Sequence, residues 1–290
     1  MWTMRVRSET FAAKAVSRLH SRLVPTILVL ALMTLACQLA SWARNAGIPE
    51  SAPKSGAVQN STQIPVGTIL PVRLENTISV KEAHTGEAVE TRVPQDVPLP
   101  DREKIPMRSI VKGSILSVVK DSDGAGVKVT LKFNQIDDRK QTYAVATSLR
   151  AIASFYAVRS AQMSFTGADG GTPAGWATTA QIGGDIRYGD GGKVRNRAKQ
   201  TVGKGVTGGV LVHVRANPAL GCEGPVNGDD QPQALWVFSA DACGVYDLKD
   251  TKIARTGKST PIGEITLHFE KDDMKLESGT GMLLRVVSQP

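Results

Sequence analysis

The chain of 290 residues carries 35 Lys and Arg against 27 Asp and Glu, a net charge of +8, with 28 glycines, 5% aromatic residues and three cysteines. Five of the basic residues and one acid fall within the first 43 positions, leaving 30 against 26, so half of the excess charge belongs to one terminal segment. With no concentrated basic face interleaved with stacking aromatics, the composition argues against nucleic acid as a partner.

That segment, residues 1–43, reads as an export signal. Arg5, Arg7, Lys14, Arg18 and Arg22 precede a stretch from Leu23 to Ala43 whose only ionisable group is Cys37, including the apolar run ILVLALMTLA. Basic residues before an uncharged apolar run place the N-terminus in the cytoplasm and the remainder outside it. Three fates are open. Ser41-Trp42-Ala43 offers small residues for cleavage before Arg44; a retained segment is just long enough to anchor the chain in a membrane; and Thr34-Leu35-Ala36-Cys37 is similar to a lipidation box, with Cys37 as the acceptor. The expected location is the periplasm or outer envelope, with inner-membrane anchoring if the segment is uncleaved.

Residues 44–63 are polar, small and proline-containing without a period, the composition of a flexible linker. Beyond Ile64 the pattern changes to short apolar runs punctuated by glycine. GTILPVRL at 67–74, GEAVETRV at 86–93 and IVKGSILSVV at 110–119 are strand candidates. In GVKVTLKF at 126–133, Val127, Val129, Leu131 and Phe133 alternate with Lys128, Thr130 and Lys132, the pattern of a strand with one face inward and one in water. DSDGAG between the last two predicts an antiparallel hairpin. TYAVATSLRAIA at 142–153 extends the meander, and the lack of sustained helical spacing predicts few and short helices.

GTILPVRL has an ungapped echo near the other end, GTGMLLRV at 279–286, matching Gly67 with Gly279, Thr68 with Thr280 and Arg73 with Arg285. The two segments are therefore expected in one sheet system. The predicted fold is mainly β, an antiparallel sandwich or partly closed barrel built from 64–158 and 262–288. Residues 159–261 form a loop-rich, glycine-rich central insertion or second lobe, within which only VTGGVLVHV at 206–214 and ALWVFSA at 234–240 are strand candidates.

Candidate chemistry concentrates in that insertion. Cys222 and Cys243, the two cysteines outside the signal, sit in loop sequence and are expected to form a disulfide. Trp176, Asp185, Asp190 and Trp236 are the binding candidates, since loops of this kind carry binding residues. Asp185 and Asp190 flank a glycine turn, and Asn227, Asp229 and Asp230 cluster in another, but neither has calcium-loop spacing. KVRNRAK at 193–199 reads as a solvated loop, and His213 and His268 as strand residues rather than bases. No GxSxG, phosphate-loop, HExxH or CxxC pattern is present, so neither a catalytic residue, a metal nor a cofactor is expected.

The run IPVGTILPVRL, then TRVPQDVPLP, then IPMRSIVKGSILSVV resembles in layout the exported β-barrel domain of TrbI-like conjugation and type IV secretion proteins, over residues 64–135. The chain as a whole is also similar to a group of exported proteins of acidobacterial soil bacteria, through segments such as WATTAQIGGDIRYGDGG and QALWVFSADACGVY. These resemblances imply a barrel-like envelope component able to assemble as a homo-oligomer; they carry over no site residue. The function expected is a non-enzymatic envelope or surface module that binds a protein, lipid or glycan. The alternative is a cell-wall-acting enzyme, which needs paired carboxylates from Glu87, Glu90, Glu264 and Glu270.

Overall fold

A computed structural model of the chain describes residues 63–122, 126–163, 178–188, 191–222, 231–254 and 261–288. In chain order the strands are β1 (Ile69–Leu74), β2 (Ile78–Ser79), β3 (Ala88–Arg92), β4 (Val97–Pro98), β5 (Lys104–Ile105), β6 (Ile110–Lys120), β7 (Val127–Asp137), β8 (Thr142–Ala144) and β9 (Ala146–Ala153). The helix α1 (Phe155–Gln162) follows, then β10 (Thr178–Ala180), β11 (Ile186–Tyr188), β12 (Lys193–Arg195), β13 (Thr201–Val206), β14 (Gly209–Val212) and β15 (Gln233–Ala234). The chain closes with β16 (Gly244–Tyr246), β17 (Thr251–Ile253), β18 (Ile265–Phe269), β19 (Lys275–Leu276) and β20 (Gly281–Ser288). The fold is mainly β, as expected, and α1 is the one α-helix among the described residues.

Ten strands form one large, nearly closed barrel-like sheet in the order β16-β9-β20-β1-β3-β6-β7-β18-β17, with β8 also on β7. Its two edge strands, β16 and β17, lie beside each other. All pairings are antiparallel except β9 with β16, where a strand from the central stretch joins the sheet in parallel. β16 and β17 thus place part of the 159–261 stretch within the large sheet, and a separate six-stranded antiparallel sheet, β10 to β15 in sequential order, holds the rest of its strands.

The GT echo has a direct structural meaning. β1 pairs with β20 antiparallel, with Ile69 opposite Arg285 and Arg73 opposite Gly281, so each segment meets its own counterpart. The closing hydrogen bonds match in pairs. Gly67 N–H donates to Val286 O and Gly279 N–H to Leu74 O, while Val286 N–H donates to Thr68 O and Leu74 N–H to Thr280 O. Gly67 and Gly279 share φ of 93°, a left-handed conformation that glycine adopts without steric cost, and both open their strands after the same turn.

Burial explains the sequence patterns. On β7 the expected alternation holds: Val127, Val129, Leu131 and Phe133 are buried inside the barrel, while Lys128 is exposed. β1, β20 and β9 are buried on both faces. Leu70, Val72, Leu284 and Ile152 fill the barrel core, whereas Ile69, Leu283, Ala151 and Ala153 belong to a second core beneath the six-stranded sheet. Strands covered on two sides lose alternation and read as continuous apolar runs.

Two expected strands differ. VTGGVLVHV is a hairpin, with β13 and β14 joined across Thr207-Gly208 and Val206 opposite Gly209. ALWVFSA is buried throughout but extended only at its start: Trp236 has φ 52° and Phe238 N–H donates back to Leu235 O, so the run turns rather than extends. The cause lies far away in sequence. Gln95, fully buried, reaches from the large sheet and accepts from Val210 N–H at 3.1 Å and Trp236 N–H at 2.6 Å, and its amide donates to Val210 O at 2.9 Å. One side chain thus takes the place of a strand neighbour. It needs Gly209 opposite, because a Cβ there would stand 2.0 Å from Gln95 Oε1.

The expected disulfide is present, with Cys222 and Cys243 Cα atoms 6.0 Å apart, inside the range a bridge requires. Cys243 immediately precedes β16, so the crosslink ties the loop after β14 to the edge of the large sheet. Gln95→Ala leaves buried backbone groups of Val210 and Trp236 unpaired and is expected to lower unfolding free energy by about 3–5 kcal/mol in a urea titration of the oxidised protein.

Candidate functional site

Of the binding candidates, Asp185 lies in a built polar site. It follows β10 in the turn Gln181-Ile182-Gly183-Gly184, where Gly184 N–H donates to Gln181 O and Gln181 N–H to Asp185 O. Gly183 (φ 99°) and Gly184 (φ 116°) both occupy conformations that side chains resist, and a Cβ on Gly183 would stand 2.3 Å from Ser239 Oγ. The turn is stitched to the buried ALWVFSA run: Ile182 N–H donates to Val237 O, Ser239 N–H to Ile182 O, and the Gln181 side-chain amide to Phe238 O.

This stitching buries the Asp185 carboxylate between two donors. Oδ2 accepts from Ala240 N–H at 2.8 Å, and Oδ1 pairs with the Arg215 guanidinium at 3.1 Å. Arg215 is a third exposed and also reaches Asp241 at 3.5 Å; Asp241 accepts from Ser239 Oγ. The opposite wall is the β12–β13 turn, where Arg197 lies against Gly184 and has no ion-pair partner among the described residues. Between the walls is an open cleft of about 380 Å3, lined by Asp185, Asn196, Arg197, Arg215 and Asp241.

Two guanidinium groups, a carboxamide and a half-exposed carboxylate facing one space can bind a ligand carrying both acidic and hydroxyl or amide groups. The Asp185 ion pair fixes one of those guanidinium groups in place. KVRNRAK is a surface turn, as its sequence suggests, but it supplies Asn196 and Arg197 to the cleft. The charge run alone carries no sign of that role, which depends on the glycine turn packed against it.

The remaining candidates fall elsewhere. Trp236 is 1% exposed and packs edge-on against Phe238, with ring centroids 6.5 Å apart, so it is a core residue rather than an open stacking platform. Trp176, Asp190, Cys37 and the Asn227, Asp229 and Asp230 cluster lie outside the described residues. Glu87 and Glu90 belong to the β3 side of the large sheet and Glu264 and Glu270 flank β18, with β6 and β7 between them. Three strand steps correspond to roughly 14 Å along the sheet, too far for carboxylates acting on one bond. His213 is exposed and His268 pairs with Asp121 at 2.7 Å.

Arg150, which sequence reasoning passed over, is buried under the disulfide. It donates to Ala242 O at 2.9 Å and Arg215 O at 2.5 Å, and burial, reinforced by the charge of Arg285, pushes its pKa down to about 10. It holds the backbone of Arg215 from behind and thereby helps set the cleft wall.

Comparison with protein-family models, with characterised proteins and with solved structures finds no match for the chain. Asp185→Ala strands Ala240 N–H and Arg215 and is expected to destabilise the fold by about 3 kcal/mol, whereas Asp241→Ala removes a weaker, solvated pairing and costs under about 1 kcal/mol; paired urea titrations distinguish them.

Proposed function

We propose that this chain is a non-enzymatic module exported to the bacterial envelope, where the cleft at Asp185 and Arg215 holds an acidic envelope glycan. The observation that carries the reading is the cleft itself: Arg197 and Arg215 face each other across a space that also presents Asn196 and Asp241. Paired guanidinium groups suit the carboxylates of peptidoglycan or acidic polysaccharide, and Asn196 and Asp241 suit their hydroxyl and amide groups. The basic and apolar N-terminal segment supports delivery to the compartment where such polymers lie, and the disulfide suits an oxidising one. The layout shared with the barrel domain of TrbI-like secretion proteins is consistent with a module stationed in the envelope.

The test is co-sedimentation with purified cell-wall sacculi. Oxidised protein recovered from the periplasm is expected to pellet with sacculi at low salt, to be released by added salt, and to lose roughly tenfold in affinity on Arg197→Ala without a shift in unfolding midpoint. Equal pelleting by wild type and variant contradicts the reading, as does retention of the protein in the cytoplasm.

A further inference from the structure

A second cleft lies at the seam of the two sheets. Arg73 on β1 and Arg92 on β3 are directly opposed across the strand pair, an arrangement that ordinarily destabilises a sheet. Glu75 partly offsets it, accepting from Arg92 Nε at 2.8 Å and approaching Arg73 at 3.6 Å; its carboxyl is held below the usual range chiefly by Arg92. Arg108 stands beside them, its carbonyl contacted by the Arg92 guanidinium at 3.5 Å, and its own side chain has no ion pair among the described residues. All three arginines line a cleft of about 230 Å3 whose lining contains no carboxylate.

The remaining walls are of a different kind. Val93, Pro94 and Met107 give an apolar floor, and Trp236 closes the side formed by the six-stranded sheet. The Trp236 indole Nε1 is buried with no hydrogen-bond partner among the described residues, while the Cζ3 edge, on the other side of the ring, packs against Gly281. A buried N–H without an acceptor is costly and rare. Arg108 (φ 74°) and Trp236 (φ 52°) are moreover both held in the left-handed region, where strain is commonly retained for a purpose.

We infer that this seam cleft binds a compact organic oxyanion, a phosphate or carboxylate on a small apolar body, with the head on Arg108, Arg92 and Arg73 and the body over Met107 and Pro94. The unpartnered indole N–H supplies one further donor. The site is separate from the Asp185 cleft and stands or falls independently of it.

Calorimetric titration of the oxidised protein with phenyl phosphate, benzoate and inorganic phosphate at low ionic strength tests the assignment. Phenyl phosphate or benzoate is expected to bind saturably and more tightly than inorganic phosphate, because only they use the apolar floor. Arg108→Asn, which tolerates the positive φ, weakens that binding about tenfold, while Arg139→Asn, a second positive-φ arginine in the turn between β7 and β8, and Arg197→Ala leave it unchanged. Sedimentation with phosphatidylglycerol vesicles, lost on Arg108→Asn and competed by phenyl phosphate, identifies a lipid headgroup as the source; its absence beside tight phenyl phosphate or benzoate binding identifies a free anion. Equal affinity in wild type and Arg108→Asn, or no saturable heat with any of the three probes, overturns the inference.

Discussion

The antiparallel pairing of β1 with β20 is the constraint on which the rest of the molecule depends. It brings the opening and closing strands of the described domain together and does so through two copies of one device, a glycine at φ 93° followed by threonine and an apolar strand. Because each half donates to the other in the same way, Gly67 to Val286 and Gly279 to Leu74, the pair forms a local two-fold unit. β3 is laid on one side of this unit and β9 on the other, and the barrel grows outward from both.

The same unit separates the two cores. Its inward residues, Leu70, Val72, Met282 and Leu284, fill the barrel, and its outward residues, Ile69 and Leu283, receive the six-stranded sheet. Gln95 and the Cys222–Cys243 bridge then fasten that sheet, one by polar bonds to Val210 and Trp236, the other covalently to the strand at the barrel edge. Both clefts follow from this fastening. The seam cleft opens where Trp236 meets β1 and β3, and the Asp185 cleft opens where the glycine turn packs on the segment that Gln95 has bent.

Much of this was legible in the residues. One-sided alternation identified β7, the glycine and threonine echo identified the paired ends, and the count of exported cysteines identified the disulfide. The apolar run ALWVFSA was misleading for a physical reason: its burial comes from Gln95, 141 residues away from Trp236, and a polar side chain that substitutes for a strand leaves no periodic trace. Asp185 was noticed for its glycine neighbours, but its partner Arg215 lies 30 residues on and reaches it only through the turn. Arg108 had no signal at all, since its significance rests on Arg73 and Arg92 being brought opposite one another by sheet register.

Native-state hydrogen exchange on the oxidised protein tests the central dependence most directly. If the β1–β20 unit organises the fold, the amides of Gly67, Leu74, Gly279 and Val286 exchange together, only through global unfolding, and as slowly as any in the chain. Exchange at these amides through local opening, at rates orders of magnitude above those of Val210 and Trp236 in the second lobe, would contradict it.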